Sequence, residues 1–500
     1  MCLTIQDALS LDIDYLYGQS WSVREDDLKA HEEQINRAAK EVSEIRRNGK
    51  GPDGSHVFFP HLPYLYEENL LIGDDEKQRI KTLSEKAKEM DAVVSIGIGG
   101  SYLGNQVLFD LFCGPYWNMK NKEERHGFPA VFFAGQNVDP VSLLKLTEEL
   151  KRRSGEKDNY KVTLLVISKS GTTIEPTTAF HVLMKELSGF CDVSVIAVTD
   201  AEKGELHRLA LENNWDTFTV PEGIGGRFSI FSPVGLVFGS LIGLDTEEFL
   251  RGARTVEEFC QSEKWDENPA LLLASLKYIG TSEYGLVSEV IMPYGDALRS
   301  LGWWYAQLLG ESLGKKYNND GQIVHAGRTP VAAVGTTDMH SLTQEHQQGK
   351  KNKLFQFISV DSPSLDTKAY SREGESEGFV QMSRMLTAAM KSNAEALASE
   401  QRMSCRISVS RMTPYHLGAL MYFFFLTIAY EGSLLQINAF DQPGVEAYKK
   451  ILHQYLRSFL QYTGYCYGCK KEMGNSFCRY CGYSFCLGIL GRRDRSRPAS

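Results

Sequence analysis

The sequence predicts an α/β fold built on doubly wound parallel sheets. Two features support this fold class: a series of short apolar runs, and the helical spacing that follows most of them. The runs lie at 92–96, 130–133, 162–167, 193–198, 287–293 and 354–360. Apolar runs of this length are typical of strands buried on both faces, and their alternation with helices is typical of parallel sheets.

The length of the chain, 500 residues, exceeds what one hydrophobic core usually supports, so we expect several domains. The alternation of strands and helices pauses near 245–285, where acidic helical segments appear, and we expect the boundary between two sheets there. The predicted parts are a helical N-terminal arm (1–75), a first α/β domain (76–260), a second α/β domain with C-terminal helices (261–455), a cysteine-rich segment (463–486) and a disordered basic tail (487–500).

Charge and hydropathy exclude several classes of protein. A net charge of -9 argues against non-specific nucleic-acid binding, which needs a basic surface. The first ten residues lack the basic and apolar regions of a signal peptide. The longest apolar run, 418–430, is shorter than the roughly 20 residues that span a bilayer, so we expect a buried helix there. We therefore predict a cytoplasmic protein with reduced cysteines and no membrane partner.

A polar turn follows the apolar run 162–167 and precedes a helical pattern at 176–187. It consists of Ser168, Lys169, Ser170, Gly171, Thr172 and Thr173. Hydroxyl groups and backbone N–H groups at the start of a helix are suited to bind an anion such as phosphate. The alternative is an ordinary polar loop in which a threonine caps the helix, and the turn alone does not decide between the two.

A second turn, Gly97–Gly104, is rich in glycine, which lets the backbone approach an anion closely. Its pattern, G-x-G-G-S, is neither that of dinucleotide sites nor that of the P-loop. The carboxyl ends of parallel strands meet at one edge of a sheet. A sugar phosphate could therefore lie across both turns, with its phosphate at 168–173 and its sugar near Gly100 and Ser101.

A third segment, Glu222–Ser229, places Arg227 among glycines. An arginine in such a loop can donate hydrogen bonds to negative charge that develops during a reaction. The alternative is an ordinary surface arginine.

Together these motifs resemble those of the glucose-6-phosphate isomerase (phosphoglucose isomerase) family. One family signature matches 222–235, and a second, F-D-Q-x-G-V-E-x-x-K, matches 440–449. The turns at 99–104 and 168–173 also fit, in the family's order. The resemblance covers roughly 80–450 and implies two domains of the sugar-isomerase (SIS) type.

The resemblance implies reversible conversion of glucose 6-phosphate to fructose 6-phosphate through a cis-enediol, in glycolysis and gluconeogenesis, without a cofactor. Such chemistry needs a carboxylate base, a cation beside the enediolate and groups that open the sugar ring. The resemblance gives these roles to five residues: Glu311 as the base, Arg227 as the cation, Gln307 and Gln442 as substrate contacts, and Lys449 in ring opening. From spacing alone, Glu311 would be a solvated glutamate at a helix end.

The ring-opening histidine is assigned by the segment Asp338–Ser341, which resembles the D-x-H-S segment of bacterial-type members. This favours His340 over His346. In the family this histidine comes from the neighbouring subunit, so the resemblance implies a homodimer with shared active sites. One departure is Pro176, which stands where animal-type members carry a threonine. Either Thr177 or Thr178 replaces that threonine, or the contact is missing.

The chain continues beyond the usual end of the family with two Cys-x2-Cys pairs. They are formed by Cys466, Cys469, Cys478 and Cys481. Four thiolates suit a structural zinc ion in a small ribbon. The alternative is four reduced thiols in a disordered tail.

Three other functions stay open at this point. The chain could be a non-catalytic sugar-phosphate-binding protein of the same fold, or an isomerase that also accepts mannose 6-phosphate. It could also be a zinc-ribbon binding module fused to an inactive enzyme. The presence of Glu311, Arg227, His340 and Lys449 argues for the conventional enzyme.

Overall fold

The computed structural model describes residues 1–373 and 376–472, and the chain divides into two compact units, Met1–Phe440 and a second that begins at Asp441. The strands of the described residues are β1 (Cys2–Ile5), β2 (Leu9–Tyr15), β3 (Ala92–Ile96), β4 (Ala130–Ala134), β5 (Lys161–Ile167), β6 (Asp192–Thr199), β7 (Asp216–Thr219), β8 (Ser288–Pro293), β9 (Lys315–Tyr317), β10 (Ile323–Ala326), β11 (Thr329–Ala332), β12 (Lys353–Val360), β13 (Lys368–Glu373), β14 (Ser376–Gln381) and β15 (Ser404–Val409).

The helices of the same residues are α1 (Glu25–Ala30), α2 (Glu32–Asn48), α3 (Asp74–Ala87), α4 (Leu103–Phe112), α5 (Pro140–Ser154), α6 (Ile174–Leu187), α7 (Glu205–Asn213), α8 (Pro233–Leu241), α9 (Thr246–Phe259), α10 (Pro269–Ser282), α11 (Arg299–Leu313), α12 (Met339–Gln348), α13 (Met382–Ser399), α14 (Pro414–Leu434) and α15 (Val445–Glu472). Each apolar run predicted to be a strand is one, and β3 has the predicted bounds.

The first sheet has the order β4-β3-β5-β6-β7, and all its strands are parallel. The predicted α/β class is thereby confirmed. The chain leaves β3 for β4 on one side and then crosses to β5 on the other. In open parallel sheets such a reversal of strand order opens a ligand crevice at the carboxyl ends of the strands. The turns at 97–101 and 168–173 lie at this crevice.

The second sheet has the order β1-β2-β15-β12-β8-β11. From β11 to β15 its strands are parallel, and they follow the order of β4, β3, β5 and β6 in the first sheet. Its far edge is an antiparallel hairpin, β1–β2, in the segment predicted to be a helical arm. Segment 9–15 forms a strand rather than a helix because its apolar residues alternate with polar ones. Leu9, Leu11 and Ile13 are buried while the residues between them are not, which is the period of a strand.

The longest helix of the first unit, α14, lies in the core. It is long and apolar enough to cross a membrane, yet it is completely buried within the protein. A helix that is apolar on all sides and buried in this way is a core helix. The prediction of a buried helix at 418–430 is confirmed.

A cluster of four buried charges, the ion quartet, fixes the helix α11. It consists of Lys277, Glu289, Arg328 and Glu431. The Glu289 carboxylate lies 2.7 Å from both Lys277 Nζ and Arg328 Nη2, and Arg328 also pairs with Glu431. Tyr305 of α11 donates a hydrogen bond to Glu289 Oε1 at 2.6 Å. Burial alone would raise the pKa of Glu289, but the two adjacent cations outweigh it and lower the pKa to about 2.

We expect Glu289→Gln to destabilise the protein strongly. The substitution keeps the shape of the side chain but leaves Lys277 and Arg328 with one excess buried charge, which costs about 3–5 kcal/mol of unfolding free energy. Urea unfolding would measure the loss. The matched control is Glu247→Gln, because Glu247 pairs with Lys81 at the surface and such pairs contribute about 1 kcal/mol or less. Equal, small losses in both variants would contradict the importance of the quartet.

Candidate active site

The glycine turn after β3 touches the turn that carries Arg227. A Cβ atom on Gly100 would lie only 1.9 Å from the carbonyl oxygen of Gly226, so no other residue fits there without moving the backbone. Gly99 has a positive φ of 58°, and a Cβ on it would lie 2.9 Å from Gln307 Nε2 of α11. The glycines therefore bring the first sheet, the Arg227 turn and α11 into direct contact.

Arg227 is buried, so the alternative of an ordinary surface arginine is wrong. Its side chain is 1% exposed. Nε donates to Ser312 Oγ at 2.7 Å, and Nη2 donates to the carbonyl oxygen of Ala439. Nη1 lies 3.6 Å from Glu311 Oε2. These contacts fix the plane of the guanidinium and direct one of its edges toward Glu311.

Glu311 and Gln307 lie one turn apart on α11. The amide nitrogen of Gln307 donates to Glu311 Oε1 at 3.1 Å, and Lys315 Nζ donates to the Glu311 carbonyl oxygen at 2.6 Å. The Glu311 side chain is 31% exposed, so it is accessible but not fully solvated. Gln307 Oε1 is buried and has no hydrogen-bond partner among the described residues. A buried acceptor of this kind is suited to receive a hydrogen bond from a ligand hydroxyl.

The turn 168–173 is held open by its own hydrogen bonds. Ser168 Oγ accepts from the Gly171 N–H at 3.1 Å, and Ser170 Oγ accepts from the Thr172 N–H at 3.2 Å. The carbonyl oxygens of Lys169 and Ser170 accept from backbone amides of the segment 200–205, at 3.4 and 3.1 Å. Because the Ser168 and Ser170 oxygens act as acceptors within the turn, their hydroxyl hydrogens can be donated to an anion.

Two threonines at the start of α6, Thr173 and Thr177, differ in their hydrogen bonds to the turn. Thr173 directly precedes α6, but among the described residues its side chain makes no capping hydrogen bond. This differs from the alternative interpretation of the turn as a polar loop in which a threonine caps the helix. Thr177, a candidate to replace the missing family threonine, donates its hydroxyl to the Gly171 carbonyl oxygen at 3.2 Å. Thr177 therefore supports the backbone of the turn.

The start of α6 lies beside the glycine turn. A Cβ on Gly135, which follows β4, would lie 2.9 Å from Pro176 Cα and 3.4 Å from the Gly97 nitrogen. Gly135 thus touches both the first turn of α6 and the glycine turn. The two predicted binding turns open at the same edge of the sheet, as its parallel topology requires.

The two histidines of α12 have different environments. His346 is buried, its ring packs edge-on against Phe355 at 4.9 Å between centroids, and burial lowers its pKa. His340 is exposed in the first turn of the helix. The choice of His340 over His346 as the ring-opening histidine stays a prediction.

The second unit carries Gln442 and Lys449. Gln442 is exposed just before α15, and its carbonyl oxygen accepts from the Val445 N–H at 3.4 Å. Lys449 lies in the first turns of α15, where Nζ is 2.9 Å from Glu446 Oε1. Both residues lie on a short segment that brings a carboxamide and an ammonium group close together in sequence.

The cysteine pairs are only partly covered by the structure. The backbone of Cys466 and Cys469 belongs to α15, whereas Cys478 and Cys481 lie outside the described residues. Among the residues that are described, no cluster of three or more metal-binding side chains occurs. The zinc site stays a prediction.

The structure adds two groups that sequence reasoning missed, Ser312 and the carbonyl oxygen of Ala439. Both hold the Arg227 guanidinium. Ser312 follows Glu311 directly and lies on the buried side of the same helix. Its position next to the predicted base was the only sign in the sequence that it belongs to the site.

Two sheets, an anion-type turn and a carboxylate beside a buried guanidinium are typical of α/β enzymes that act on small anionic substrates. Comparison with known proteins gives the particular family. The chain belongs to the phosphoglucose isomerase family, whose model matches residues 77–463. It is therefore an isomerase.

Two curated relatives and one solved structure illustrate the similarity. The glucose-6-phosphate isomerase of Carboxydothermus hydrogenoformans is 35% identical over 90% of this chain and 95% of its own length. That of Symbiobacterium thermophilum is 33% identical over 81% of this chain and 88% of its own length. The crystal structure of a glucose-6-phosphate isomerase from Chlamydia trachomatis superposes with a TM-score of 0.75, at 21% identity, over 98% of this chain and 93% of that one.

We expect Gly100→Ala to disrupt this site. The added methyl group would push the glycine turn away from Gly226, and a displacement of about 1 Å between reacting groups can lower kcat/KM about 100-fold. A steady-state isomerase assay would measure the loss. The control is Gly189→Ala, because a Cβ on Gly189 meets nothing within 4 Å. Full activity of Gly100→Ala would show that the contact between the turns is dispensable.

Proposed function

We propose that this protein interconverts glucose 6-phosphate and fructose 6-phosphate through a cis-enediol intermediate, as a step of glycolysis and gluconeogenesis. The single observation that carries the proposal is the placement of the Glu311 carboxylate 3.6 Å from the buried Arg227 guanidinium. The names of the curated relatives support the choice of substrate.

Glu311 acts as the base of the proton transfer. It removes the proton from C2 of the open-chain aldose, the C–H electrons form the C1–C2 double bond, and the carbonyl oxygen gains the charge. The hydroxyl proton moves from O2 to O1, the same carboxyl group returns its proton to C1, and the C2–O bond becomes the carbonyl of the ketose. Because the hydrogen and the electrons stay within one substrate molecule, the reaction needs no external oxidant or reductant.

Arg227 stabilises the enediolate oxygens. A fixed cation in a site shielded from water lowers the energy of a developing negative charge more than a mobile, solvated cation does. The Gln307 amide contacts a substrate hydroxyl through its buried oxygen, which has no partner among the described residues. Glu311 is more exposed than Arg227. A base needs such exposure because each new substrate molecule must reach it.

The phosphate of the substrate binds the turn 168–173, and the sugar extends toward Gly100 and Ser101. The phosphate keeps its bonds and its charge during the isomerisation, so its contacts with the turn change little between the bound substrate and the transition state. Interactions of this kind lower KM and position the sugar rather than accelerate the proton transfer.

His340 and Lys449 open the sugar ring before isomerisation, with Gln442 as a further substrate contact. Support comes from the family resemblance and from the environments of the two histidines: His340 is exposed, whereas His346 packs in the core. A histidine has its ordinary pKa near neutrality and can therefore both donate and accept a proton there.

The protein acts as a homodimer in which His340 completes the site of the neighbouring copy. The hairpin β13–β14 supports this assembly, because among the described strands these two pair only with each other. Tyr370 and Phe379 are opposite each other in it and are 57% and 72% exposed. An isolated hairpin with exposed aromatic rings is marginal in water, so we infer that a second copy of the chain covers it.

We expect Glu311→Gln to abolish most of the activity. The amide keeps the size of the side chain but cannot accept the proton, so kcat should fall by about 10²- to 10⁴-fold with a small change in KM. An assay that couples fructose 6-phosphate to oxidation of the glucose 6-phosphate formed measures both constants. Glu247→Gln is the control.

The same assay separates the alternatives. An inactive native chain that binds sugar phosphate would indicate the non-catalytic binding protein, and an inactive chain that does not bind it would contradict the proposal entirely. Activity with mannose 6-phosphate would indicate the broader isomerase. Full activity of Glu311→Gln would exclude this residue as the base.

We expect the double variant Tyr370→Ser, Phe379→Ser to dissociate into monomers and to lose activity with them. Light scattering after gel filtration gives the mass, and the isomerase assay gives the activity of each species. The control is Val141→Ser, since Val141 is 64% exposed on α5 of the first sheet. A fully active monomer would contradict a shared site.

A further inference from the structure

Ser312 has a contact that the proposed reaction does not explain. The residue is fully buried, and its hydroxyl oxygen accepts a hydrogen bond from Arg227 Nε at 2.7 Å. It immediately follows Glu311 on α11. One short stretch of helix therefore carries both the proposed base and a ligand of the proposed cation.

The ligands that hold the guanidinium matter for its charge. Nε binds the Ser312 hydroxyl and Nη2 binds the backbone carbonyl of Ala439, and both of these acceptors are neutral. Each of them orients the guanidinium without adding a negative charge beside it. Because the guanidinium is planar and rigid, two such contacts also fix where the third nitrogen points.

The third nitrogen stays at a distance from the base. Arg227 Nη1 and Glu311 Oε2 are 3.6 Å apart, whereas hydrogen-bonded pairs of these groups are about 2.7–2.9 Å apart. A closer pair would hold the carboxylate in a direct hydrogen bond. The separation leaves the Glu311 carboxylate, which is 31% exposed, accessible to the substrate.

We propose that Ser312 is a positioning residue for the isomerisation: its hydroxyl holds Arg227 facing the enediolate and prevents the guanidinium from closing onto Glu311. The inference rests on the proposed function. Without the hydroxyl, the guanidinium rotates about its last bonds and forms a direct pair with the carboxylate. Substrate still binds, because its phosphate end is held elsewhere, but proton transfer slows.

The test compares Ser312→Ala with Ser312→Thr, which keeps the hydroxyl. We expect kcat of the alanine variant to fall about 10- to 100-fold, somewhat less than the loss of a direct oxyanion contact, with KM within about 3-fold of the native value. The threonine variant should recover most of kcat. Ser312→Cys, which keeps the volume but accepts hydrogen bonds weakly, should resemble alanine.

A stable analogue of the intermediate reports on Arg227 directly. We would use a five-carbon sugar acid 5-phosphate, whose planar carboxylate copies the charge of the enediolate. Its inhibition constant should rise by the same factor as kcat falls in Ser312→Ala, while the constant for inorganic phosphate stays unchanged. The control is Ser275→Ala, a fully buried serine whose hydroxyl donates only within its own helix, to Leu271.

A double-mutant cycle with Arg227→Lys completes the test. If Ser312 acts through Arg227, then Ser312→Ala should cause little further loss of kcat in the lysine background. The inference would be overturned if the losses of kcat in the two single variants multiply in the double variant, or if Ser312→Ala has the native kcat. If Ser312→Ala weakens both inhibitors equally and also lowers the melting temperature, the serine has a purely structural role. An inactive native enzyme would instead overturn the proposed function.

Discussion

The burial of Arg227 is the constraint on which the site depends. A guanidinium removed from water must find hydrogen-bond acceptors, or the folded state loses several kcal/mol. Here acceptors come from parts of the chain far apart in sequence: Ser312 of α11 and the carbonyl oxygen of Ala439. The turn that carries Arg227 in turn touches the glycine turn after β3. The contacts that satisfy this one buried cation therefore join the first sheet to α11, the helix that follows β8 of the second sheet.

The two sheets share a strand order but differ in the chemistry at their crevices. In the first sheet, β3 and β5 are followed by glycines and hydroxyls, which suit a phosphate. At the equivalent places after β8 and β12, the second sheet carries Asp296 and Asp361, whose carboxylates repel an anion. In the proposed site, the second sheet would contribute instead through the helices that follow its strands, α11 with Glu311 and α12 with His340. The repeated topology therefore supports a division between binding and catalysis in the proposed site.

The elements that were predictable are those specified by local patterns. Fully apolar runs predict buried strands, and β3 has the predicted bounds because both of its faces are covered. The hairpin β1–β2 was missed because its alternation is short and lies next to a charged helical segment. The burial of Arg227 was not predictable, since its ligands lie 85 and 212 residues away and only the packed fold brings them together. The roles of Glu311 and Lys449 came from the family resemblance, because a charged residue on a helix has no local mark of function.

The direction of Glu311 follows from two contacts on the buried side of α11. Tyr305 and Ser312 are seven residues apart, about two helical turns, so they project from nearly the same side of the helix. Tyr305 is held by the ion quartet through Glu289, and Ser312 is held by Arg227. Two contacts separated along the axis prevent the helix from turning about it. Since Glu311 lies on an adjacent face, its carboxylate is set beside the guanidinium before any substrate binds, which is the preorganisation that proton transfer between carbon atoms requires.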